Sequence, residues 1–144
     1  TSAAASRLTL KYGGALMDTR LKDVIRIGKV SSVNGANCTA TVVFDDRDEL
    51  VSNELPIITI GSNGTCGYWL PEVETQVLCL FLPNSSGKGV DDGFILGAFY
   101  SQADQPPESD PNVRSVKFPD GSRIKFDGAG NLEVIMTGKN IFLN

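Results

Sequence analysis

The chain has 144 residues, of which 41% are hydrophobic and 21% charged, with 13 basic and 17 acidic residues. Its apolar content excludes a disordered protein, and its longest apolar run, Val77–Leu82, is far shorter than the roughly 18 residues of a membrane-spanning helix. The chain contains no histidine, which excludes Ser-His-Asp catalysis, Cys-His catalysis and histidine zinc sites. The sequence also shows no basic stripe of the kind that binds nucleic acid.

Residues 1–23 are predicted to form an N-terminal arm with a short helix. The first ten residues are mostly small and polar, and Lys11–Gly14 is glycine-rich. The apolar positions between Ala15 and Ile27 are compatible with a short, weak helix that leads into a strand. A poorly ordered terminus fits the same composition, so both readings stand at this point.

Residues 24–101 are predicted to fold as a small β-barrel. The β-rich runs are Val24–Val33, Thr39–Phe44, Leu55–Ile60, Thr75–Leu82 and Phe94–Tyr100. The pair Asn34-Gly35 favours a hairpin between the first two runs, and Thr75–Leu82, apolar on both faces, is expected at the centre. Gly61–Gly67 and Asn84–Gly93 are predicted loops. Five short strands with glycine-rich links favour a closed antiparallel barrel of the OB type, although strand count alone does not separate it from other small barrels.

Residues 102–115 are predicted to be a stiff, extended linker, because three prolines stand there among polar residues. Residues 116–144 follow as a β-structured segment with tight Asp-Gly turns. Ile124 and Phe126 alternate with Arg123 and Lys125, so the strands present one apolar face with nothing to cover it. So short a segment cannot offset the cost of backbone ordering, about 1–2 kcal/mol per residue, by burial within itself.

The C-terminal segment must therefore pack on the barrel, on a partner or on copies of itself. Three copies wound around a threefold axis would bury the apolar face and complete the hydrogen bonding between neighbours. The alternative is a meander folded back on the barrel, and the proline-rich linker weighs against it. The predicted trimer-interface residues are Phe118, Ile124, Phe126, Leu132, Val134, Met136, Ile141 and Leu143.

An ordered set of short segments resembles a known family. The segments are Arg26–Val30 (RIGKV), Tyr68–Pro71 (YWLP), Gln76–Leu78 (QVL), Gly93–Ser101 (GFILGAFYS), Pro106–Pro107 and Phe118–Gly121 (FPDG). In this order they resemble the phage baseplate assembly protein V family, the central spike of contractile tails, which is related to the spikes of R-type bacteriocins and to the VgrG tip of type VI secretion.

The resemblance implies a fold, an assembly and a function. The fold is all-β, an N-terminal five-stranded OB-type barrel followed by a short intertwined trimeric β-helix, the needle. The protein is then a structural homotrimer and not an enzyme, located in the tail or baseplate of a phage or phage-like particle assembled in the bacterial cytoplasm. Its partners are the baseplate hub and tail tube and, transiently, the target cell envelope that it helps to puncture, with no specific nucleic acid.

The needle departs from the family pattern in its length, and the run Leu55–Ile60 departs from it in sequence. Longer family members end in an apex whose histidines hold iron, which a chain without histidine cannot build. The resemblance therefore implies a truncated spike or a blunt end capped by a separate PAAR-like tip protein. Thr1 is a residue that removal of an initiator methionine would leave, which favours a naturally short spike.

The cysteines and two polar loops are the other features of the sequence that could carry chemistry. The three widely spaced cysteines lack a C-x-x-C motif, so we predict no metal and no cofactor. Cys79 lies within an apolar run and is predicted to be a buried thiol. We expect a reducing compartment during folding. Asn84–Gly89 lacks the full phosphate-loop pattern, and Asp45–Glu49 fails the calcium-loop template and is expected to be a solvated turn.

Two competing functions remain open. Tyr68 and Trp69 would stack a base or sugar in an OB-type module that binds oligonucleotide or glycan, or would serve as a barrel plug or interface anchor. Paired carboxylates for glycoside hydrolysis can meet in space whatever their spacing, and peptidoglycan turnover would test that activity.

Overall fold

The computed structural model describes residues 23–83, 90–138 and 142, and these residues form an all-β protein. The chain divides into two compact units between Phe99 and Tyr100. Residues 1–22 of the predicted arm 1–23, residues 84–89 of the predicted connection Asn84–Gly93, and Ile141 and Leu143 lie outside the described residues. The first unit contains β1 (Ile25–Asn34), β2 (Thr39–Phe44), β3 (Leu50–Val51), β4 (Leu55–Pro56), β5 (Ser62–Asn63), β6 (Thr65–Cys66), β7 (Gln76–Pro83) and β8 (Val90–Ala98). The second contains β9 (Arg114–Lys117), β10 (Arg123–Phe126) and β11 (Leu132–Ile135).

The main sheet of the first unit is antiparallel and its two ends meet. Its order is β3-β2-β1-β7-β8, with β4 also paired to β2. Beyond β4, Ile57 forms a parallel bridge with Ile95 of β8, and the Ile58 N–H donates to the Ile95 carbonyl at 2.9 Å. The segment that contains β4 is thereby paired with β2 on one side and joined to β8, the last strand of the unit, on the other.

Alternating side chains build the core of this unit. Buried and half-buried residues alternate strictly along β2, and they do so along β7 as far as Phe81, as the period of a strand requires. Phe44 and Phe81 meet edge to face with ring centroids 5.7 Å apart. The buried apolar side chains are Val30, Ala40, Val42, Phe44, Leu55, Val77, Cys79, Phe81 and Ile95. Burying side chains of this size stabilises the fold by about 1.5–3 kcal/mol each.

Arg26 is the charged residue that enters this core. Its side chain is 10% exposed, and its guanidinium carbon lies 5.4 Å from the Phe44 ring centroid and 5.0 Å from that of Phe81. Asp23 accepts a hydrogen bond from it at 3.4 Å, which places a carboxylate beside the buried cation. The two rings and this carboxylate compensate part of the desolvation of the guanidinium.

The structure confirms the hairpin at Asn34-Gly35 and corrects three local predictions. Leu55–Ile60 is not one strand, because the chain leaves β2 after Pro56 and turns to β8 at Ile57. The predicted connection Asn84–Gly93 is shorter at its C-terminal end, since β8 begins at Val90. Within the predicted loop Gly61–Gly67, β5 and β6 form a small hairpin around Gly64.

The second unit is a three-stranded antiparallel sheet in the order β11-β10-β9. The turn between β9 and β10 contains Pro119, Asp120 and Gly121, and the turn between β10 and β11 begins at Asp127. The first strand begins at Arg114, inside the stretch that composition assigns to the linker.

Candidate functional site

One face of the second unit's sheet is apolar across all three strands. Ile124 lies opposite Val134 on β11 and opposite Val116 on β9, and Phe126 lies opposite Leu132. Directly opposed residues share a face, so these side chains stand together. Phe118, Ile124 and Met136 line one open hollow at the end of the same surface. We call this surface the apolar face: Val116, Phe118, Ile124, Phe126, Leu132, Val134 and Met136.

The apolar face is open to solvent in a single chain. Its members are between 40% and 58% exposed, with Val116 and Phe118 the least exposed and Leu132 the most. Among the described residues, every buried apolar side chain belongs to the first unit. The second unit therefore has a hydrogen-bonded sheet without a core, and a narrow antiparallel sheet of this kind needs a covering surface to be stable in water.

The opposite face of the same sheet is polar and carries two ion pairs. Lys125 Nζ lies 3.1 Å from a Glu108 carboxylate oxygen, and both side chains are about three-quarters buried. Arg123 bonds Glu133 on the neighbouring strand, also at 3.1 Å, in a more exposed position. Glu108 belongs to the proline-rich stretch, so that stretch lies against the polar face. The sheet thus has one side already covered by its own chain and one side that is not.

Aspartate side chains fix both turns of the sheet. Asp120 accepts hydrogen bonds from the Ser122 backbone N–H at 2.8 Å and the Ser122 hydroxyl at 3.0 Å, and these bonds lower the pKa of Asp120. Asp127 accepts from the Asn131 side chain at 2.7 Å and from two backbone N–H groups, which lowers the pKa of Asp127. Because these hydrogen bonds fix the turn before β10 and the turn after it, β10 stays in register with β9 and β11. This register keeps the apolar side chains on one face.

The structure places the predicted interface residues as follows. Phe118, Ile124, Phe126, Leu132, Val134 and Met136 all belong to the apolar face, while Ile141 and Leu143 lie outside the described residues. Sequence reasoning missed Val116, although its alternation with Phe118 across Lys117 is the signal that indicates it. Arg114 lies opposite Phe126, and its guanidinium donates to the carbonyl oxygens of Pro111 and Val113.

The other residues singled out by sequence have these positions. Tyr68 and Trp69 are 67% and 60% exposed, so neither is a barrel plug, and the Tyr68 hydroxyl donates to the Gly35 carbonyl at 3.1 Å. Asp45–Arg47 forms a short 3-10 turn with exposed acidic side chains. Cys79 is buried, as predicted, and all three cysteines are free thiols.

Within residues 23–83, 90–138 and 142, no group of three or more cysteine, aspartate or glutamate side chains is placed to hold a metal ion. We also find no helix in these ranges with the length and hydrophobicity to cross a membrane.

No protein-family model matches this sequence, and no curated protein gives a significant match. The apolar face and the ordered segments that resemble the spike family are the features that bear on function.

Proposed function

We propose that the chain is the trimeric central spike protein of a contractile injection system, such as a phage tail baseplate or an R-type bacteriocin. The observation that carries the proposal is the apolar face, seven side chains open to solvent on a sheet that has no core of its own. Covering such a face is worth about 1.5–3 kcal/mol for each large side chain buried. The assembly that covers it is the functional form of the protein.

Threefold assembly suits this sheet better than pairing of two copies. Two sheets stacked face to face bury their apolar sides but leave the outer edges of β9 and β11 without hydrogen-bond partners. Three narrow sheets arranged as a prism bury the apolar faces on the axis and bring each edge strand next to a neighbouring chain. The ion pairs Arg123–Glu133 and Lys125–Glu108 then lie on the outer side of the prism, away from the apolar axis.

The strand pairing of the first unit supports an OB-type barrel as the base of the spike. Following neighbours from β1, the order runs through β2 and β4 to the Ile57–Ile95 contact with β8, and returns through β7 to β1. This circuit, with one parallel closure, is the pairing expected of a five-stranded OB-type barrel. In the proposed spike this barrel caps the tail tube beneath the hub, and a needle built from β9–β11 follows it in the chain.

The proposed mechanism is mechanical. When the sheath contracts, force passes along the threefold axis through the prism into the target cell envelope. Resistance to bending comes from the hydrogen bonds between chains and from the buried side chains on the axis, and it needs no catalytic group. A separate PAAR-like tip protein is the partner that we propose for the C-terminal end of the prism.

A complementation experiment tests this function. Deletion of the gene from the producing strain should yield contractile particles that lack the central spike and do not kill target cells. Wild-type protein should restore killing, Val134→Asp should not, and the adjacent opposite-face variant Ile135→Asp should. Full activity of particles without the protein would overturn the proposal.

A second candidate function rests on Tyr68 and Trp69, two exposed neighbouring aromatic side chains on one loop. Such side chains stack on bases or sugars in OB-type modules that bind oligonucleotides or glycans. Titration with single-stranded DNA at low salt distinguishes this function from the spike. Salt-sensitive binding in the low micromolar range, lost in Trp69→Ala, would favour it, and absence of binding would leave the spike.

A further inference from the structure

The three most exposed large apolar side chains among the described residues of the first unit lie on either side of the small β5–β6 hairpin. Ile60 is 91% exposed, Tyr68 67% and Trp69 60%. The Ile60 side chain lies over the backbone just before Tyr68, because a Cβ on Gly67 would be 2.7 Å from Ile60 Cγ1. We call this surface the hairpin patch: Ile60, Tyr68 and Trp69. Exposed apolar side chains that lie together in this way mark an interaction site.

Hydrogen bonds hold the backbone of the hairpin patch in place. The Gly67 N–H donates to the Gly61 carbonyl at 2.9 Å, and the Thr59 hydroxyl donates to the Gly67 carbonyl at 3.0 Å. The Tyr68 hydroxyl donates to the Gly35 carbonyl at 3.1 Å, which joins the patch to the turn between β1 and β2. A surface that is ordered before binding loses less conformational entropy when a partner docks on it.

A carboxylate is fixed at the same turn. The Asn34 side chain, next to Gly35, donates to one oxygen of Glu54 at 3.2 Å, and the Thr39 hydroxyl donates to the other at 2.9 Å. These hydrogen bonds lower the pKa of Glu54, so this side chain is ionised at neutral pH. Tyr68 and Glu54 are therefore both anchored to the β1–β2 turn, Tyr68 through Gly35 and Glu54 through Asn34.

The charged residues of the surrounding segments are all acidic. In the ranges 31–44 and 50–76 they are Glu54, Glu72 and Glu74, and all three side chains are exposed. These segments supply no basic side chain to neutralise a phosphate or another anionic ligand. The faces of tyrosine and tryptophan rings attract ammonium and guanidinium groups. The aromatic rings and the carboxylate therefore favour the same kind of ligand, a cation.

We propose that the hairpin patch docks a basic segment of a partner protein, with an arginine or lysine side chain of that segment lying over an aromatic ring of the patch and pairing with Glu54. A protein partner fits because tyrosine, tryptophan and arginine dominate the binding energy of protein interfaces. Ile60 would contact the aliphatic stem of the basic side chain. This docking surface belongs to the first unit alone and does not depend on the trimeric spike.

Trp69 is the single tryptophan of the chain, so intrinsic fluorescence reports directly on the hairpin patch. The probe is the acetylated and amidated peptide RGRGR in about 0.1 M salt, which screens distant charges. RGRGR should produce a saturable change in Trp69 emission, and the matched acidic peptide EGEGE should produce none. Glu54→Gln should weaken RGRGR binding about two- to fivefold, as loss of one exposed charge pair does. The control Asp104→Asn removes one negative charge from the second unit and should bind as the wild type does.

The variant Val134→Asp separates this proposal from the proposed trimer. It should bind RGRGR as tightly as the wild type whether or not it assembles, because the hairpin patch lies in the first unit. Absence of a saturable change with RGRGR would overturn the proposal, and so would equal affinities of the wild type and Glu54→Gln. A stronger response to single-stranded DNA than to RGRGR would also overturn it, in favour of the oligonucleotide-binding function.

Discussion

Ile124 on β10 lies directly opposite Val134 on β11, and both side chains stand on a sheet face that is open to solvent. The residues on either side of them in sequence, Arg123, Lys125 and Glu133, form ion pairs on the reverse face. A register shift of one residue would exchange the two faces completely. The register of this hairpin therefore decides which surface is available for assembly, and several predictions depend on it.

Replacement of Val134 by aspartate should prevent trimer formation. Three carboxylates would meet on the threefold axis without counter-charges, and burying unpaired charges costs several kcal/mol each. Phe126→Asp should act in the same way. Size-exclusion chromatography with light scattering should report a single chain for both variants.

The matched control is Ile135→Asp, one residue along the same strand. Ile135 is half-buried and lies opposite Arg123 on the polar face, where a carboxylate would have a cation as its neighbour. This variant should keep the assembled mass. A trimer that survives Val134→Asp as well would show that the assigned axis is wrong.

The turn at Asp127 should make the C-terminal sheet sensitive to acid. Hydrogen bonds from the Asn131 side chain and from the Ala129 and Asn131 backbone N–H groups hold the pKa of Asp127 below its ordinary value of 3.8. The folded state then binds fewer protons than the unfolded state, so this stabilisation is complete above pH 3.8 and is lost as the pH falls through the lower folded pKa. Thermal unfolding followed across this acidic range should show a falling midpoint.

Asp127→Asn removes the titrating group and keeps one carbonyl acceptor for the turn. Its unfolding midpoint should fall less steeply with acid than that of the wild type, whereas Asp104→Asn, outside the sheet, should follow the wild type. Equal acid sensitivity in all three proteins would mean that Asp127 does not contribute to the loss of stability at low pH.

Gly28 should not tolerate a side chain. A Cβ at this position would lie 2.5 Å from both the Val43 carbonyl oxygen and Val42 Cγ1, and the backbone atom cannot move aside. Gly28→Ala should therefore destabilise the first unit by about 1–3 kcal/mol, the range seen for overpacked cores. Urea unfolding monitored by circular dichroism measures this change.

Gly97 provides the control for Gly28, because a Cβ there meets nothing within 4 Å. Gly97→Ala should change the free energy of unfolding by no more than about 0.5 kcal/mol, as substitutions at open surface positions do. Equal losses in the two variants would contradict the close approach of β1 and β2 at Gly28.

The three cysteines should react with a thiol reagent in order of exposure. Cys66 is exposed, Cys38 is half-buried, and burial raises the pKa of Cys79 to about 11. Ellman's reagent at neutral pH should label Cys66 first, Cys38 more slowly and Cys79 only on unfolding, because thiolates are the reacting species. Fast labelling of Cys79 in the native protein would contradict its place in the core.

Local patterns predicted much of this structure. The Asn34-Gly35 hairpin and the alternation along β2 and β7 follow from turn chemistry and from the two-residue period of a strand. In the second unit, alternation and Asp-Gly turns predicted strands over Arg123–Phe126 and Leu132–Met136, and the structure has β10 at Arg123–Phe126 and β11 at Leu132–Ile135. Their pairing places Ile124, Phe126, Leu132 and Val134 on one face.

Long-range pairing explains what the sequence did not predict. Leu55–Ile60 has the composition of one strand, but it changes partner from β2 to β8 at Ile57, and no local pattern encodes that change. The side of β7 that meets the core was not predictable for a similar reason, since a run that is apolar on both sides does not reveal which side is buried. Tyr68 also owes its position to a distant acceptor, the Gly35 carbonyl.

The proposed trimer is tested by the mass of the intact protein in dilute solution, measured together with amide hydrogen exchange of β9–β11. A trimeric spike should give a particle with three times the 15.4 kDa mass of one chain and slow exchange in β10. Dilution to single chains should remove the trimer mass and the slow exchange in β10 together. A single chain of 15.4 kDa that keeps slow exchange across β9–β11 would contradict the proposed trimer.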